Sequence, residues 1–134
     1  MSAENYLMDI KQSDRRIGEL VRLQTMMAGT PAPNEQIALD RAALEDQITR
    51  SYQDNLSERK RAQRFIDRLP DPVERQALTL FYLRHLTCDE AAEIMGFTPR
   101  QLYRVKRRAL MHLEGLLMWP FIIHASPGRV SHET

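Results

Sequence analysis

Apolar residues recur at helical spacing along most of the chain, and turn-forming residues cut that pattern into segments. Over residues 4–27, Leu7, Ile10, Ile17, Leu20, Val21 and Met27 form one stripe, broken at seam positions by Asp14 and Gln24. Gly29-Thr30-Pro31-Ala32-Pro33 stops this helix, and Asn34 is placed to cap the next. That second helix is predicted over 35–69, with Ile37, Leu44, Ile48, Tyr52, Leu56, Phe65, Ile66 and Leu69 as its apolar positions. At the α-helical rise the two would reach roughly 36 and 50 Å. Two long helices joined by a short loop predict an antiparallel hairpin over 1–69. One hairpin buries a single stripe and is thin for a core, so its expected role is an oligomerising or docking arm.

Leu69-Pro70-Asp71-Pro72 breaks the chain again. Asp71 suits an N-cap, Pro72 the first helical position, and Glu74 stands three residues after the cap. The helix predicted over 72–85 carries Val73, Ala77, Leu78, Phe81 and Tyr82, with Leu86 just after it, toward a core. Two capping boxes follow. Thr87 with Glu90 opens a short helix over 89–95, bearing Ala91, Ala92 and Ile94. Thr98 with Gln101 opens a longer one, which has Pro99 at its first position. Between them Gly96 suits a left-handed C-terminal residue, and Phe97 turns inward. The longer helix carries Leu102, Val105, Ala109, Leu110 and Leu113 as its core stripe. A short helix, a three-residue turn containing glycine and a longer helix make the helix-turn-helix pattern.

Composition agrees with an all-α chain. Of 134 residues 43% are hydrophobic and 28% charged, and only five are glycine. No run of about 18 apolar residues exists to span a membrane. The opening Met1-Ser2-Ala3-Glu4-Asn5 lacks the basic and apolar parts of a leader, so the expected location is cytoplasmic. One cysteine, Cys88, forms no disulfide framework and no cysteine-rich zinc site, and reads as a first-turn residue without chemistry. His85, His112, His124 and His132 form no metal-binding pair. No catalytic constellation is visible, and the expectation is a non-enzyme without cofactor or metal.

The charge distribution says more than the net charge of +1. Residues 1–69 balance 11 basic against 11 acidic side chains, whereas Arg100, Arg104, Lys106, Arg107 and Arg108 stand together with no acid over 100–113. Arg100, Gln101, Tyr103 and Arg104 fall in the opening turns of the longer helix, the part such a motif places in a major groove. Arginine and glutamine can contact guanine and adenine edges in pairs of hydrogen bonds, so these four are the expected base-reading set. Tyr103 reads either as a stacking or phosphate contact or as a half-buried aromatic. Thr98, Lys106, Arg107 and Arg108 are the expected phosphate contacts. His112 reads as a phosphate or solvent contact.

Residues 69–114 resemble region 4 of bacterial sigma factors. The likeness rests on Leu69-Pro70-Asp71-Pro72-Val73-Glu74-Arg75 with Leu80-Phe81-Tyr82, on Thr87 to Thr98, and on Arg100 to Leu110. A helical hairpin followed by a lone region-4-like module is similar to phage and prophage transcriptional regulators of the RinA and ArpU type. The resemblance implies binding to double-stranded DNA and transcription control. RNA polymerase is a further expected partner, and a homodimer is the expected assembly, since two modules reading two half-sites would explain the arm. No match to the promoter-melting region is present. Two other readings stay open. One is a small-terminase-like DNA-packaging component, and the other is an adaptor whose basic helix contacts RNA polymerase. The expected domains are an arm over 1–69, a DNA-binding unit over 70–118, and an apolar segment with a loose tail over 119–134. Pro120 is expected to end or bend the preceding helix. The run Leu116 to Ile123 reads either as a lid on the chain's own core or as a protein interface.

Overall fold

In a computed structural model, which describes residues 2–125 and side chains as far as Met118, the chain is all-α, with no strand among the described residues. Helix α1 spans Ala3–Ala28, α2 Glu35–Asp67, α3 Pro72–Leu78, α4 Cys88–Met95 and α5 Pro99–Ala125. The expected tail and the side chains of Trp119 to Ile123 lie outside this description.

Local chemistry sets most of the helix ends. Ser2 caps α1 by accepting the Asn5 N–H. Asn34 caps α2, its Oδ1 2.9 Å from the Ile37 nitrogen, and Asp71 caps α3 through the Val73 N–H with Pro72 in the first turn. The end of α3 departs from the expected single helix over 72–85. Residues Thr79–Leu83 widen into a π-helical turn, in which the Arg84 N–H donates to the Thr79 carbonyl at 2.9 Å. His85 follows in the left-handed region, φ 60°, and ends the segment. Nor does α5 end at Pro120, since its backbone is helical through Ala125.

Two cores hold the helices. Ala77 of α3, Ala91 and Ala92 of α4, and Leu102 and Val105 of α5 form one, with Val73, Leu86, Met95 and Phe97 packed round it. The three alanines let the helices approach closely. The other core joins Leu7 and Ile10 of α1, Ala62 and Ile66 of α2, Leu78, Tyr82 and Leu83, and Ala109 and Leu113 of α5. The base of α1 and α2 is therefore packed into the same core as the C-terminal helices. Leu116 and Leu117 lie half-buried against it.

Contacts between α1 and α2 run from Thr30–Arg41 beside their connection, through Asp14–Asn55, to Tyr6–Phe65 at their far ends. The two helices thus lie side by side in opposite directions. Asp14, which interrupts the apolar stripe of α1, is an organising centre. Its carboxylate accepts from Asn55 at 2.6 Å, pairs with Arg59, and lies 2.5 Å from His85 Nε2. Arg59 also donates to the Leu83 carbonyl at 2.8 Å. One carboxylate so ties α1, α2 and the loop after the π-turn together.

Candidate nucleic-acid interface

The exposed start of α5 is built by its neighbours. Thr87 and Glu90 cap α4 reciprocally, the Thr87 hydroxyl accepting the Glu90 N–H and the Glu90 carboxylate accepting the Thr87 N–H. These hydrogen bonds hold the Glu90 carboxyl below its usual range. Gly96 closes α4 at φ 72°, a conformation that costs other residues about 1–2 kcal/mol. Phe97 follows against the α3–α4–α5 core, and its N–H donates to the Ala92 carbonyl at 2.8 Å. Thr98 then accepts from the Gln101 N–H at 3.1 Å while Gln101 Oε1 accepts from the Thr98 N–H at 2.8 Å. The turn between α4 and α5 is therefore fixed at both ends by hydrogen bonds and in the middle by packing.

On α5, Leu102, Val105, Ala109 and Leu113 face inward and are buried. Arg100, Gln101, Tyr103, Arg104 and Arg107 are exposed. Arg100 and Arg104 make no ion pair among the described residues. The Arg107 guanidinium lies 5.8 Å from the Tyr103 ring centroid, so these two form a paired edge of the surface. Tyr103 is 52% exposed, which places it among the surface residues rather than the half-buried aromatics. The basic stretch also lies at the positive end of a helix dipole, although Pro99 has no N–H and the Gln101 N–H is already held by Thr98.

Three residues expected at the surface are otherwise engaged. Gln101 has its side-chain oxygen in the cap, which leaves its amide N–H groups as outward donors and removes the two-point contact to adenine while the cap is closed. Lys106 places Nζ 3.9 Å from the Phe81 ring centroid and is half-buried. Arg108 bonds Glu74 at 2.9 Å and approaches Asp71 at 3.8 Å. Free charge on this face is thus concentrated at Arg100, Arg104 and Arg107.

Glu74 has a role its position in the sequence did not suggest. Rather than reaching back to the start of α3, it is 2% exposed and binds both Arg108 and His112, the latter at 2.8 Å. One carboxylate from α3 therefore clamps two consecutive turns of α5. The sequence signal available was the i, i+4 placement of Arg108 and His112 on one face, opposite an acid in a neighbouring helix. A second clamp joins α5 to α1, where the Ala3 N–H donates to Glu114 Oε1 at 3.0 Å. Lys11 of α1 reaches the same Phe81 ring as Lys106, at 3.7 Å. Burial lowers the Lys11 pKa from its ordinary value, and the fields of Arg15 and Lys106 add to this.

Cys88 is a free, half-buried thiol in the first turn of α4, packed beside the α3–α4–α5 core. No group of three or more potential metal ligands occurs among the described residues, and no described helix is long and apolar enough to cross a membrane. No family model, curated protein or solved structure matches the chain.

Proposed function

We propose that the chain is a sequence-specific, double-stranded-DNA-binding transcription regulator of phage or prophage genes. In this reading α4 and α5 form a helix-turn-helix, α5 enters the major groove by its first turns, and α1 with α2 is a hairpin through which two copies join. The supporting observation is the start of α5, where Arg100, Arg104 and Arg107 project from a helix fixed by two capping boxes and a left-handed glycine. Rigid placement matters because a base contact rewards hydrogen-bond geometry, whereas phosphate attraction alone does not.

Arg100 and Arg104 are the base-reading residues of this assignment, with Tyr103 beside them. Gln101 contributes through its amide N–H groups. Arg107 and Thr98 are the phosphate contacts, while Lys106 and Arg108 hold α5 to the rest of the fold. RNA polymerase is the further partner, the setting is the cytoplasm, and no cofactor or catalytic step is involved.

Duplex binding by single-residue variants tests this. Arg100→Ala or Arg104→Ala should cost about 1–3 kcal/mol at the cognate site and relax base preference there. Arg107→Ala should weaken binding to all sequences alike and lower the salt slope by about one. Unchanged affinity and preference in the Arg100→Ala/Arg104→Ala double variant would overturn the assignment of α5 as the reading helix.

A further inference from the structure

We infer that residues 15–28 of α1 and 35–54 of α2 form the interface with a second copy of this chain, in which α1 of each copy lies against α2 of the other. The inference deepens the dimer of the reading above and rests on it.

The first observation is burial. Across these two stretches no residue is fully buried. The apolar seam between the helices, including Ile17, Leu20, Leu44 and Ile48, is only half-covered. Larger apolar side chains stand outside it, with Met26 75% and Leu39 58% exposed. Beside the seam a cavity of about 240 Å³, walled by Arg16, Ile17 and Leu20 of α1 and Gln47, Ser51 and Asp54 of α2, leaves the pair open on one side. Two helices alone cannot close such a seam, and a second pair laid across it makes a four-helix arrangement that can.

The second observation is charge. Residues 15–28 carry Arg15, Arg16 and Arg22 against Glu19. Residues 35–54 carry Glu35, Asp40, Glu45, Asp46 and Asp54 against Arg41 and Arg50. The first stretch is basic and the second acidic, yet no ion pair joins residues 15–28 to residues 35–54 among the described residues. A two-fold interface must be self-complementary, each surface meeting its own copy. A basic stretch beside an acidic one satisfies this when the copies pack with α1 on the partner's α2. Packing α1 on the partner's α1 would set like charges together.

Light scattering on the full chain, with mixed charge-reversal variants, tests the arrangement. Wild type should show twice the 15.6 kDa chain mass. Arg15→Glu/Arg16→Glu/Arg22→Glu should fall to the monomer mass, as should Glu45→Lys/Asp46→Lys/Asp54→Lys. Mixing the two variants should restore a dimer, because each α1 then meets an α2 of opposite sign. Met26→Lys, at an exposed position outside the seam, should raise the monomer fraction without changing helical circular dichroism, and serves if a triple variant misfolds. A monomeric wild type, a larger ring, variants that dimerise as well as wild type, or a mixture that stays monomeric would each overturn the inference. Duplex binding measured on the same samples separates the two claims. A monomer that still reads DNA contradicts the interface alone, and a dimer that ignores DNA contradicts the function alone.

Discussion

The two ends of the long helices α1 and α2 are made of similar residues and behave differently. At the base, Leu7, Ile10, Ala62 and Ile66 are buried against Tyr82, Ala109 and Leu113. In the outer part no residue is fully buried, although Leu, Ile and Met recur there at the same helical spacing. Periodicity thus reports that a stripe faces something, while burial depends on how many elements converge on it. Stability should accordingly reside in the base, where α1, α2, α3 and α5 meet, and the outer part should be free for a partner.

The largest expected effect follows directly. Leu113→Ala or Ile66→Ala, each removing a fully buried side chain, should cost about 2–5 kcal/mol in urea unfolding. Leu39→Ala in the outer part should change the stability of a dilute monomer by less than about 0.5 kcal/mol. Similar losses at both ends would erase the contrast.

Glu74→Gln sharpens it on the polar side. This buried carboxylate clamps α5 through Arg108 and His112, both about half-exposed, so solvent takes up part of the loss. The expected destabilisation is about 1–3 kcal/mol. Loss of the clamp should also broaden the amide signals of α5 residues 104–112 while leaving the outer part of α1 and α2 unchanged.

A smaller effect, of opposite sign, is expected at Tyr82. Its hydroxyl is buried without a hydrogen-bond partner. Tyr82→Phe should therefore stabilise the fold by about 1 kcal/mol at neutral pH. Burial, with the fields of Glu4 and Cys88, raises the Tyr82 phenol above its ordinary pKa of 10.0. The folded state keeps that proton when the unfolded state has lost it, so stability falls as pH rises above about 10. The lowered pKa of Lys11 acts the other way just below its ordinary 10.5, because the unfolded chain binds the extra proton there. The larger tyrosine shift should win, giving alkaline unfolding that is coincident with tyrosine ionisation and reduced in Tyr82→Phe.

Much of this was legible from residue order because it is local. Asn34, Asp71 and Thr87 cap as their types and spacing predict, Gly96 takes the left-handed conformation, and Thr98 with Gln101 closes the second box. Each depends on residues two to four apart. Long-range partners were not legible. Asp14 reads as a polar break in α1 until Asn55, Arg59 and His85 converge on it from distant positions. Glu74 reads as a capping residue until α5 brings Arg108 and His112 to it. Lys106 and Arg108 read as surface cations because nothing in their own helix shows that Phe81 and Glu74 await them. The π-turn over Thr79–Leu83 is likewise a tertiary feature, placed where Tyr82 and Leu83 must both turn into the core.

In the proposed function the start of α5 reads duplex DNA. Selection from randomised duplexes, run in parallel with wild type and the Arg100→Ala/Arg104→Ala variant, tests it most directly. Wild type should enrich a motif that is lost with the variant, which should keep its helical content. Enrichment of the same motif by both proteins would contradict it, as would salt-sensitive binding without any motif in the wild type.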